Sequence, residues 1–282
     1  MVTLILTIIC SSAVALILKY NDILKGNKLL LIASNYLVGS IIAGSDWFIY
    51  GRNHFSSNVL LTGATIALFF VVSLLIFSKA IEYNGAALST TSSRLSVIIP
   101  FVLSIIIFDE SLNKLQLAGF IVTIVTIILF YFAARKKKNR SYQNNGYIFL
   151  VLVLIGIGLT DFSMKIFQSL FDIELKSFFL FTIFGFAFLY CMAILIIRKS
   201  FLDKKIIFLG ALLGVPNIFS SYFLVDALNR LPAVYVYPAV NVGVILLTTL
   251  IVRIFWNEKI SLTGWAAIIA GILSVILLTS AN

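Results

Sequence analysis

The sequence predicts an all-α integral membrane protein of ten transmembrane helices, arranged as two inverted five-helix repeats. Its 282 residues are 61% hydrophobic and 11% charged, which leaves too little polar surface for a soluble domain of this length. The apolar residues are gathered into runs of spanning length, since a helix rising 1.5 Å per residue needs about 20 residues to cross a hydrocarbon core about 30 Å thick. The period-two alternation of a membrane barrel is absent from the sequence. The order of features in the first half also returns in the second.

The first run, 2–18, carries a cleavage-like Ala13-Val14-Ala15. No basic residue precedes it, as one does in a secretory leader, and the sixth run is its internal counterpart, so it reads as a retained helix. The second and third runs cover 29–45 and 59–77, and the fourth, 86–108, is followed at once by Asp109-Glu110. The fifth, 115–134, leads into the segment 135–145, which is basic and then polar. That segment reads as a solvated linker between a first repeat at 1–134 and a second at 146–282. The remaining runs are 147–168, 178–197, 206–225, 233–252 and 262–280. Trp47, Trp256 and Trp265 stand at span ends, where interfacial anchors belong.

The repeat is weak in identity and consistent in order. Ala80 through Ala86 resembles Ala227 through Ala233, and Ala80 stands about as far before Glu110 as Ala227 does before Glu258. Each Glu is followed by a short polar turn and a last span, and Lys19 falls in the first half where Lys165 falls in the second. Repeats of this kind mark secondary transporters.

Loop charge gives the orientation. The loops after the odd-numbered spans hold Lys25, Lys28, Lys79, the run Arg135-Lys136-Lys137-Lys138, Arg198, Lys199, Lys204, Lys205 and Lys259, among others. The opposite side holds Arg52, Lys114, Lys176 and Arg230. The positive-inside rule places the first set, with the 135–145 loop, in the cytoplasm and both termini outside. It also accounts for the net charge of +10 without a nucleic-acid partner. The loop after the second span has only Arg52 while its counterpart after the seventh is strongly basic, as two copies locked in opposite orientations require. Cys10 and Cys191 lie in apolar runs and His54, the one histidine, in a loop. They suggest no disulfide framework, no metal site and no triad, and the chain implies no cofactor.

The residues Ala80, Gly85-Ala86, Arg94 through Pro100 and Phe108-Asp109-Glu110, with Ala227, Pro232-Ala233, Tyr237-Pro238, Asn241 and Asn257-Glu258-Lys259 in the second half, resemble a known pattern. It is that of the drug/metabolite transporter superfamily, EamA type, and the resemblance covers nearly the whole chain. It implies a ten-helix transporter in the cell membrane, with export by proton exchange. It is nearly silent on substrate, since the family moves amino acids, sugars, nucleotides and drugs. There are two departures. The small four-helix multidrug members use a Glu in the first helix to bind protons and cations, and this chain has no acidic residue there. Several ten-helix relatives are described with both termini inside, whereas the charge distribution here places them outside.

Polar residues inside the spans carry the candidate site. Arg94 lies well inside the fourth run, where an insertion cost of about 2.5 kcal/mol or more demands a partner or a function. Its planar fork suits a carboxylate or phosphate in a central midplane cavity, and a permanent salt bridge or a tie to a helix carbonyl is the structural reading. Asp161 and Lys165 stand four apart on the sixth run and share a face. Either they neutralise each other, or Lys165 snorkels to the interface, or Asp161 takes a substrate ammonium or a proton. Asn35, Asn217 and Asn241 need partners in lipid. Helix–helix hydrogen bonding is their commoner role, and Asn241, which mirrors Arg94, is favoured for the cavity with Tyr237 one turn before it. The cluster Ser89 through Ser93 reads as close packing. Pro100, Pro216 and Pro238 are candidate hinges, since each removes a backbone bond. Glu110 and Glu258 read as structural residues that satisfy nearby donors.

The resulting expectation is a secondary transporter, an exporter, of a small organic metabolite such as an amino acid or another carboxylated compound. It works by alternating access as a monomer or homodimer in the bilayer. No GxxxxGK[ST] nucleotide motif is present. Two other classes stand beside it. One is a lipid-carrier flippase with a lateral opening. The other is a membrane enzyme acting on a lipid-linked substrate, for which Asp109-Glu110 and Asp172 with Glu174 are the only acidic pairs near an interface, without a His.

Overall fold

The structure, a computed structural model, describes residues 1–50, 55–135, 146–199, 203–256 and 261–279. Its helices are α1 (Val2–Leu24), α2 (Lys28–Tyr50), α3 (Ser57–Leu95), α4 (Ile98–Phe108), α5 (Lys114–Arg135), α6 (Tyr147–Leu170), α7 (Lys176–Ile197), α8 (Lys204–Leu228), α9 (Ala233–Trp256) and α10 (Leu262–Thr279). A short 3-10 turn, Ile173–Leu175, leads into α7. Among the described residues there is no strand. Nine helical stretches among them are long and apolar enough to cross a membrane, and Leu262–Leu278 is a shorter apolar helix. The expected linker beyond Arg135, His54 and Glu258 lie outside the described residues.

The main departure from the sequence reading concerns the third and fourth spans. A turn was expected between 77 and 86, yet α3 runs without interruption for 39 residues, from Ser57 to Leu95. The polar stretch Ser78 through Asn84 contains no proline, so nothing removes a backbone donor there. The interruption falls instead at Ser96-Val97, four residues before Pro100. A proline lacks the N–H that would reach the carbonyl four residues back, and its ring crowds that carbonyl. The Ser96 carbonyl accepts from the Ile99 N–H at 2.9 Å, and the Val97 N–H turns back to the Arg94 carbonyl at 3.3 Å. Pro100 therefore marks a true break, whereas α8 and α9 continue through Pro216 and Pro238.

The chain forms two compact units, and each takes helices from both halves of the sequence. The first holds Met1–Val71 and Ile166–Ala227. Here α2 packs along α7. Gly39 makes that approach possible, because a Cβ in its place would lie 2.2 Å from the Phe184 ring; Tyr36 meets the same ring edge-on at 5.6 Å.

The second unit holds Val72–Lys165 and Leu228–Asn282. In it α5 lies along α10 and α4 against α9. The Thr123 and Ser274 hydroxyls bond each other at 2.6 Å across α5 and α10. At Gly158 on α6 a Cβ would come within 2.9 Å of the Ser96 carbonyl, so α6 passes close against the break that Pro100 causes. The hydroxyl cluster on α3 serves packing: Ser92 donates to the Leu150 carbonyl of α6 at 2.5 Å, and Ser93 and Ser96 donate to carbonyls of their own chain segment.

Candidate functional site

Five of the seven predicted polar residues, Arg94, Asp161, Lys165, Tyr237 and Asn241, fall in the second unit. Arg94 is in the last turn of α3, two residues before the break, and not in the interior of an unbroken fourth helix. Arg94 and Asp161 on α6 are within electrostatic reach of each other, so that opposite charges on them attract. In a medium of low dielectric such an attraction is far stronger than in water.

Lys165 lies one turn beyond Asp161, yet its ammonium goes to another helix end. Its Nζ is 2.9 Å from Glu110 Oε1, with both side chains largely buried, and it sits 5.4 Å from the centre of the Phe108 ring. This ion pair to a second helix end stands beside the two structural readings of Lys165, mutual neutralisation with Asp161 and snorkelling. Glu110 is delivered by the way α4 ends. Asp109 adopts a left-handed conformation, φ 50° and ψ 32°, and its N–H returns to the Ser104 carbonyl. Asp is among the few non-glycine residues that take this conformation readily. The turn sends Glu110 to the start of α9, where its two oxygens accept the N–H groups of Ala233 at 3.0 Å and Val234 at 2.9 Å. The expected structural role of Glu110 is thus the observed one.

Tyr237, one turn into α9 and 2% exposed, donates its hydroxyl to the Asp161 carbonyl at 2.7 Å. Asn241, one turn further, donates its amide to the Tyr237 carbonyl at 3.2 Å. Charges alternate through the cluster: Arg94, Asp161, Lys165, Glu110, then the positive end of the α9 dipole.

Asn35 and Asn217 belong to the first unit and bind each other, Asn217 Nδ2 donating to Asn35 Oδ1 at 3.0 Å. This is the helix–helix role, between α2 and α8. The same unit holds a cluster that the sequence reading missed. Asp46 on α2 accepts hydrogen bonds from Ser177 on α7 and from Tyr222 on α8, the latter at 3.0 Å. Lys176 pairs with Asp226 at 2.6 Å and lies 5.2 Å from the centre of the Tyr222 ring. The signal was Asp46 itself: ending the second span at residue 45 placed it in a loop, whereas α2 runs on to Tyr50.

Residues 144–280 match the model of the EamA-like transporter family. An uncharacterized protein of Haemophilus influenzae is 27% identical, over 94% of this chain and 93% of that protein. One solved crystal structure is similar over 99% of this chain and 96% of its own, at a TM-score of 0.80 and 14% identity, a similarity of fold.

Proposed function

We propose, from a second half that matches the model of the EamA-like transporter family, that the whole chain exports a small organic metabolite bearing a carboxylate, with an amino acid as the simplest case. The observation that carries this reading is the Arg94–Asp161 pair. Both residues lie in apolar spans, within electrostatic reach of each other, and ionisable residues there ordinarily mark a pathway. The guanidinium suits the carboxylate, and Asp161 suits an ammonium or a proton exchanged for substrate. Tyr237 and Asn241 line the same cluster. In this reading Asn35 and Asn217 support the scaffold of the first unit.

Alternating access uses two inverted repeats, 1–134 and 146–282. In support, helices at equivalent positions of the two halves pack in pairs: α2 with α7, α4 with α9 and α5 with α10. Pro100, with its break, and Pro216 and Pro238 are the hinge positions. The loop charges orient the chain with residues 135–145 in the cytoplasm and the termini outside. Cysteines placed at the termini and in that loop, labelled with an impermeant maleimide on intact cells, test this: labelling of the loop and not of the termini overturns the orientation.

The test of substrate class is a thermal-shift screen of purified protein against amino acids, sugars, nucleotides and cationic drugs, with Arg94→Ala in parallel. A ligand at 100 times its dissociation constant stabilises the folded state by about 2.7 kcal/mol. Carboxylated compounds stabilise the wild type and not the variant. Equal responses of the two proteins remove Arg94 from the site.

A further inference from the structure

We propose that Glu110 is a positioning residue of the transport site: without touching substrate, it sets the register of α9 against α6 and so brings Tyr237 to Asp161. The proposal rests on the reading of Arg94 and Asp161 as that site.

The backbone accounting at the start of α9 leads to it. The first N–H groups of a helix have no partner within the helix. Here the N–H groups of Tyr235 and Val236 reach the Pro232 carbonyl at 3.0 and 3.1 Å. Those of Ala233 and Val234 remain, and the residue before them is Pro232, which has no side chain that can cap. Glu110, distant in sequence, takes both. Its Oε1 also holds Lys165 Nζ at 2.9 Å. One carboxylate, with about four acceptor positions, therefore ties α9 to α6.

The tie sits one helical turn from the site. Lys165 follows Asp161 by four residues on α6, and Tyr237 follows Ala233 by four on α9. Two contacts thus lie side by side: Lys165–Glu110–Ala233/Val234, and Asp161–Tyr237 at 2.7 Å. The first dictates the second, because a slip of one residue turns a helix by about 100° and advances it about 1.5 Å. Such a slip swings the Tyr237 hydroxyl away from α6 and moves Asn241 with it. A simple ion pair does not have this consequence; a carboxylate that caps one helix while paired to the other does.

Hydrogen exchange of the full chain in lipid nanodiscs tests the assignment, read on peptides covering 233–241. Glu110→Gln keeps the size but cannot accept at both positions and cannot pair with Lys165. Exchange at the start of α9 then rises about tenfold or more, as local opening becomes easier. Tyr237→Phe also raises exchange in the wild-type background and adds nothing in the Glu110→Gln background, because the register is already lost. Unchanged exchange in Glu110→Gln, or effects of the two substitutions that multiply, overturns the proposal. Should Glu110→Gln fail to fold, Lys165→Met decides, since it keeps the cap and cuts the tie to α6. The α9 start stays protected and the Tyr237→Phe increment vanishes; a persisting increment overturns the proposal. No substrate enters this experiment, so its failure is distinct from failure of the Arg94 ligand screen.

Discussion

Tyr222→Phe isolates the hydroxyl that binds Asp46 in the first unit. The substitution removes one hydrogen bond to a carboxylate, 3.0 Å long, and leaves the ring beneath Lys176, 5.2 Å from its ammonium. Bonds to charged groups contribute about 1.5–3 kcal/mol. Asp46 keeps the Ser177 hydroxyl and is not stranded, so the lower end applies, about 1.5 kcal/mol. Tyr222→Leu also loses the ring, which adds about 0.5–1 kcal/mol for the cation–π contact at a partly exposed site. Equilibrium unfolding in mixed micelles measures both, and a cycle with Asp46→Asn assigns the hydroxyl to its partner. A loss within about 0.3 kcal/mol of zero for Tyr222→Phe, or a penalty that persists undiminished beside Asp46→Asn, refutes the reasoning.

Two further perturbations separate scaffold from site. Asn35→Leu and Asn217→Leu, combined in a cycle in the same unfolding assay, show a coupling of about 0.6 kcal/mol and no more than about 1.7 kcal/mol, the range for hydrogen bonds between membrane helices. Pro100→Ala supplies the missing N–H to the Ser96 carbonyl, so exchange at residues 97–100 slows and the α3–α4 break closes; unchanged exchange there means that Pro100 does not cause it.

The span pattern was legible because insertion into lipid is decided by local composition, and nearly every predicted run lies within a helix of the structure. The polar stretch after residue 77 misled for a physical reason. Polar side chains do not by themselves end a helix, whereas a missing donor does, and Pro100 stood as a hinge within one span and not at a break between two helices. Spacing correctly put Asp161 and Lys165 on one face. It could not show that Lys165 would also reach Glu110, because that acid comes to α6 from the end of another helix. Asn241 was favoured as the mirror of Arg94, and its amide is taken by its own helix at the Tyr237 carbonyl. The cap on α9 was invisible locally, since Ala233 and Glu110 are 123 positions apart.

That separation has a direction. A ribosome delivers Glu110 and Lys165 to the bilayer before it has made Ala233. The acid and the lysine are therefore in place when the ninth helix arrives, and its bare amides meet a waiting carboxylate. The late helices dock onto an earlier template, and a nascent chain halted at residue 228 exposes that template without its occupant.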